Sequence, residues 1–109
     1  MTEQASKLMK EHYDFKDLVA LMELLRSEEG CPWDRAQTHE SIRKNLIEEC
    51  YEAIDGIDRK DDELLCEELG DVLLQVVFHA QIAQDEGAFT MERVIDGICR
   101  KMVRRHPHI

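Results

Sequence analysis

Two short acidic patterns are the residues here that could do chemistry: Glu48-Glu49-x-x-Glu52 and Glu68-x-x-Asp71. Carboxylates three residues apart on a helix lie one turn apart on the same side. Two helices that each present such a pair can face them across one cavity. Four carboxylates there can hold one or two hard divalent cations such as Mg²⁺. Without a cation the acids repel one another, so metal is expected to stabilise the fold.

Acidic pairs at this spacing are common on solvated helix faces, and Glu48-Glu49-x-x-Glu52 alone would pass as one. The second pattern stands in a different setting. Leu65, Leu69, Val72, Leu73, Leu74, Val76, Val77, Phe78 and Ala80 surround it and spread around most of a helical circumference. A helix apolar nearly all round is expected to be buried on nearly all sides. Glu68, Asp71, Gln75 and His79 share one narrow stripe of it. Carboxylates buried there need a partner or must neutralise. On the preceding helix Glu49 falls near the edge of the apolar face and Glu52 a little further out, while Glu48 points most nearly away. A di-iron carboxylate bundle would want a Glu-x-x-His motif on two helices. The sequence contains none.

Helical periodicity accounts for the elements that must position these acids. Phe15, Leu18, Val19, Met22 and Leu25 mark a first helix that stops before Gly30 and Pro32. Cys31-Pro32-Trp33-Asp34 reads as a turn-rich loop. Thr38 is an N-cap for a second helix, with Ile42, Leu46, Ile47, Cys50, Ile54 and Ile57 on its buried face. Asp58-Arg59-Lys60-Asp61-Asp62 is a solvated turn. The third helix spans about Asp62 to Asp85, and Gly87 ends it. Thr90 caps a fourth, which carries Met91, Val94, Ile95, Ile98 and Met102 and ends before Pro107. No alternating strand pattern occurs. The expected fold is all-α, a four-helix bundle formed by residues 13–109, with residues 1–12 as a flexible arm.

The chain has 109 residues and a net charge of −10. That charge argues against binding a nucleic-acid duplex, which needs a basic face. It permits a phosphate ligand bridged by cations. No apolar run is long enough to span a membrane, and no signal peptide is visible, so the expected location is the cytoplasm. Cys31, Cys50, Cys66 and Cys99 form no C-x-x-C pair. They read as reduced thiols, mostly small core residues.

The acidic patterns, in order, resemble the metal motif of the MazG-like nucleoside triphosphate pyrophosphohydrolases. Cys31-Pro32-Trp33-Asp34, Gln37-Thr38-His39, Glu67-Glu68-Leu69-Gly70-Asp71, Gln75-Val76-Val77-Phe78-His79 and Arg104-Arg105-His106-Pro107-His108 extend the resemblance over roughly residues 15–108. It points to the N-terminal type of MazG domain. MazG chains commonly continue beyond the His-Pro-His segment into a second related domain.

The resemblance implies a tight homodimer or a dimer of dimers. It implies Mg²⁺, with Mn²⁺ as a substitute, held by Glu49, Glu52, Glu68 and Asp71. It implies hydrolysis of a nucleoside triphosphate to the monophosphate and pyrophosphate, clearing non-standard or excess nucleotides. Glu48 is then a base or a supporting group, or a solvated acid. Lys101 is a phosphate contact by the same resemblance. Arg104 and Arg105 serve phosphate, the dimer interface or the C-terminal helix dipole. Trp33 stacks on a base or braces its loop. The rival expectation is a regulatory or dimerisation domain that binds metal or nucleotide without efficient turnover.

Overall fold

The computed structural model describes Ser6 and Leu8–Ile109. Much of the expected N-terminal arm lies outside the described residues. Five α-helices follow: α1 (Phe15–Leu25), α2 (Pro32–Ala36), α3 (His39–Asp58), α4 (Asp62–Asp85) and α5 (Met91–Arg105). No strand occurs among the described residues, so the fold class is all-α. No described helix is long and apolar enough to cross a membrane. The chain divides into two compact units, Met1–Ala36 and Gln37–Ile109.

In the first unit, Asp14 caps α1. Its carboxylate accepts from the Asp17 backbone N–H, and the Asp17 side chain accepts from the Asp14 N–H in return. The segment Cys31-Pro32-Trp33-Asp34 is not the loop expected from its turn-forming residues. Pro32 opens the short helix α2. Proline suits the first turn of a helix, where its missing N–H would have no partner and its φ is already helical.

In the second unit, α3 and α4 form an antiparallel hairpin. Thr38 caps α3, and Ser41 completes a reciprocal capping box. Lys60 then leaves the helix with φ 55°. The Lys60 and Asp61 N–H groups donate back to the Ile57 and Gly56 carbonyls, closing a Schellman turn. Asp61 immediately caps α4. Gly87, with φ 74°, ends α4 in the same way, its partner bond running from the Ala88 N–H to the Ala83 carbonyl. Thr90 caps α5, which packs on α4.

Close approach in the hairpin depends on Gly56. A Cβ there would meet the Leu65 Cα and N at 3.0 Å. The buried residues of the unit centre on the C-terminal half of α4, where Val77, Phe78, Ala80, Ile82 and Ala83 lie with Ile42 and Ala53 of α3.

Burial elsewhere differs from the sequence expectation. Of the apolar face assigned to α3, Ile42 is buried, but Ile47, Cys50, Ile54 and Ile57 are exposed. Leu69 and Leu73 of α4 are exposed, so that helix is not enclosed on nearly all sides. No residue of α5 is buried, and Ile95, Ile98 and Met102 face solvent. The reason is geometric: within this unit, α3 packs mainly on α4, and three helices cannot cover all of their own apolar stripes. The cysteines are free, as expected, but Cys50, Cys66 and Cys99 are exposed rather than in the core.

Candidate metal centre and family

The hairpin brings the two acidic patterns together. Glu49 of α3 and Glu68 and Asp71 of α4 each offer a carboxylate oxygen, and these three atoms lie within 4.8 Å of one another. Each of the three residues is half-buried. Helix geometry explains the convergence. Antiparallel helices joined by a three-residue turn place residues at matching distances from that turn side by side. Glu49 is therefore level with the Glu68–Asp71 turn of α4.

The electrostatics are those of an uncompensated acid cluster. Desolvation raises the Glu49 carboxyl above the usual carboxylate range, and the charges of Asp71, Glu52 and Glu48 push it further. A hydrogen bond from Glu68 opposes that rise. Desolvation likewise raises Glu68, followed by repulsion from Asp71, Glu52, Glu49 and Glu67. The leading charge effects on both groups come from neighbouring acids. Once ionised, three convergent carboxylate oxygens in a region of excess negative charge fit a hard divalent cation.

The remaining sequence candidates have distinct positions. Glu52 is exposed and stands outside the triad, although its charge reaches both Glu49 and Glu68. Glu48 is exposed beside Glu49. Lys101, Arg104 and Arg105 are exposed on the last turns of α5. His106 turns its ring back and donates from Nδ1 to the Met102 carbonyl at 2.7 Å, which is a helix-ending role. Trp33 is 60% exposed, in the other unit.

On the stripe of α4, Gln75 is buried and His79 half-buried. The sequence reading missed the partner of His79. His39, the first residue of α3, places its Nδ1 2.8 Å from the His79 Nδ1. The register that pairs Glu49 with Glu68 and Asp71 also sets His39 opposite His79, so the hairpin spacing carried this signal.

A comparison with known families decides the assignment. The profile of the MazG nucleotide pyrophosphohydrolase domain matches residues 37–109. The chain belongs to the MazG family. Among curated MazG relatives, nucleoside triphosphate pyrophosphohydrolase/pyrophosphatase MazG of Thermotoga maritima is 64% identical over 95 residues, covering 87% of this chain and 37% of that protein. The uncharacterised protein YabN of Bacillus subtilis is 53% identical over 98 residues, 90% of this chain and 20% of YabN. Nucleoside triphosphate pyrophosphohydrolase of Escherichia coli is 48% identical over 93 residues, 84% of this chain and 35% of that protein. The chain thus spans well under half the length of the curated relatives it matches. The matched MazG segment contains the whole hairpin and every acid of the cluster.

Proposed function

We propose that this chain is a Mg²⁺-dependent hydrolase that converts nucleoside triphosphates to monophosphate and pyrophosphate in the cytoplasm. The observation that carries this reading is the convergence of Glu49, Glu68 and Asp71 in a MazG chain. The names of the Thermotoga maritima and Escherichia coli relatives supply the reaction.

Glu49, Glu68 and Asp71 would hold the metal, with Mn²⁺ as a substitute, and Glu52, the exposed acid one turn further along α3, would be the fourth ligand. A bound divalent cation neutralises phosphate oxygens and lowers the pKa of water. Glu48, beside Glu49 on the solvent side, accepts a proton from the attacking water. Lys101, Arg104 and Arg105 meet the outer phosphates. Trp33 remains a candidate either to stack on a base or to brace its own segment. Positioning and electrostatics then account for most of the rate.

The active form is a homodimer or a dimer of dimers in which a four-helix bundle forms around the site. The support is the uncovered apolar surface of the second unit: Ile47, Ile54 and Ile57 of α3, Leu69 of α4, and Ile98 and Val103 of α5. Uncovered apolar side chains on all three helices support an interface between copies.

The test is product identity. With a nucleoside triphosphate and Mg²⁺, phosphorus NMR is expected to show monophosphate and pyrophosphate rising together. Diphosphate and orthophosphate as first products would overturn the reading. A second reading, a regulatory domain that binds metal or nucleotide without turnover, draws on Glu52 standing exposed and outside the clustered triad. It requires that neither product pair form at high protein concentration.

A further inference from the structure

The His39–His79 contact has a defined geometry. The ring planes are parallel within 3° and the centroids are 5.1 Å apart. With Nδ1 atoms 2.8 Å apart, that separation is what two rings joined nitrogen to nitrogen in line would give. The rings therefore lie edge to edge in a common plane, not face to face. One Nδ1 carries a hydrogen and the other is bare, because two bare or two protonated nitrogens would repel at this distance.

Two further observations give the direction of the bond. The His79 Nε2 is buried and has no hydrogen-bond partner. A hydrogen placed there would be an unsatisfied buried donor, whereas a bare nitrogen leaves only an unused lone pair. The His39 Nε2 faces a carboxylate oxygen of Glu86, beyond the end of α4, at 3.8 Å. That carboxylate favours a hydrogen on the His39 Nε2, which leaves the His39 Nδ1 bare. Both observations give the same arrangement. His79 donates from Nδ1, His39 accepts at Nδ1, and the His39 Nε2–H points towards Glu86.

We infer that His39 and His79 form a directed, proton-gated clamp that ties the start of α3 to α4, closed when both rings are neutral and opened by a proton on the His39 Nδ1. The His39 side chain is 34% exposed, so this ring is open to solvent. Once protonated there, two N–H groups would confront each other. His79 can answer only by moving its own hydrogen to Nε2, which has no acceptor. Among the described residues, Gln75 Oε1, one turn earlier on α4, is the other buried side-chain atom without a partner, and it is not bonded to that nitrogen.

His39 on α3 is the titratable group whose charge acts on His79, and no charged group of α5 contributes. Glu86 is the carboxylate paired with His39. Burial, followed by the His39 charge, holds His79 below the ordinary histidine range. The folded His79 thus refuses a proton that the unfolded chain accepts.

The clamp and the acid cluster share one register. At about 1.5 Å per residue, Glu49 lies about 15 Å along α3 from His39. Asp71 and Glu68 lie about 12 and 16.5 Å along α4 from His79. Opening the clamp removes one tie between α3 and α4 at the end of the hairpin away from the turn. The inference stands on the histidine geometry and does not depend on what the acids bind.

Nitrogen-15 NMR of the imidazoles of the 109-residue chain at neutral pH tests the direction. The expected result is a hydrogen on Nδ1 of His79 and on Nε2 of His39. A His79 hydrogen on Nε2 would overturn it. Gating is tested by denaturant unfolding between pH 7.5 and 5 in the wild type and in His39→Gln, whose amide oxygen can accept from His79 but does not titrate in this range. The folding equilibrium constant falls by up to about tenfold per pH unit for each proton refused. The wild-type slope is expected to exceed that of His39→Gln by up to one such proton. Equal slopes would overturn the gate.

Discussion

A Cβ built on Gly56 would stand 3.0 Å from the backbone nitrogen and Cα of Leu65. The two helices that carry the acids therefore cross almost backbone to backbone, one turn from Glu52 and Glu68. Gly56→Ala requires α3 and α4 to give by a few tenths of an ångström, because two of the three atoms met are main chain and cannot rotate aside. The expected loss of stability is about 1–3 kcal/mol, read from denaturant unfolding. Metal affinity should fall as well, because the same displacement separates Glu49 from Asp71. Unchanged stability would mean that the hairpin tolerates a wider crossing.

Glu68→Gln tests the repulsion. Desolvation and neighbouring acids raise Glu49 and Glu68 in the folded state. A raised carboxyl favours the protonated folded form, so it weakens the fold where the acids are charged. That penalty fades as pH falls towards the raised folded values. Metal-free protein should therefore lose a destabilising contribution on acidification below neutral, and Glu68→Gln should reproduce the gain at neutral pH. Millimolar Mg²⁺ should raise the Tm of the wild type and do so less in the variant. A metal-free variant less stable than the wild type would contradict this account.

Lys60→Gly tests the turn between the acid-bearing helices. Lys60 occupies the left-handed region at φ 55°, where a side chain is strained and glycine is not. A gain of about 1 kcal/mol is expected at this position, seen as a higher denaturation midpoint with unchanged denaturant dependence. No gain would mean that the Lys60 side chain makes a compensating contact.

Ile98→Glu tests the uncovered surface. Ile98 is 49% exposed on α5, in a stripe with Ile95 and Met102. Sedimentation is expected to show a dimer or larger for the wild type and a monomer for the variant. A monomeric wild type would contradict the proposed assembly.

The comparison between sequence and structure divides along physical lines. Helix limits were legible wherever a local device sets them. Thr38, Thr90 and Gly87 act on their own backbone neighbours, so their types announce their places. The convergence of Glu49 with Glu68 and Asp71 was legible because a short antiparallel turn fixes the register. Burial was not. Ile54 and Ile98 fit an apolar stripe, but a stripe does not say whether the same chain covers it. Helix α2 escaped notice because five residues hold too little periodicity to detect. His39 escaped notice because a histidine at a helix start looks like an ordinary polar residue until the opposite helix is in place.

The most direct measurement is Mn²⁺ binding by electron paramagnetic resonance, comparing the wild type with Asp71→Asn at matched, verified folding. Asp71 contributes one of the three clustered oxygens, and its amide replacement keeps the shape while removing the charge. The account predicts that the wild type depletes the free Mn²⁺ signal and that Asp71→Asn weakens this binding by tenfold or more, on the order of 1.4 kcal/mol. Equal depletion by both proteins would contradict it.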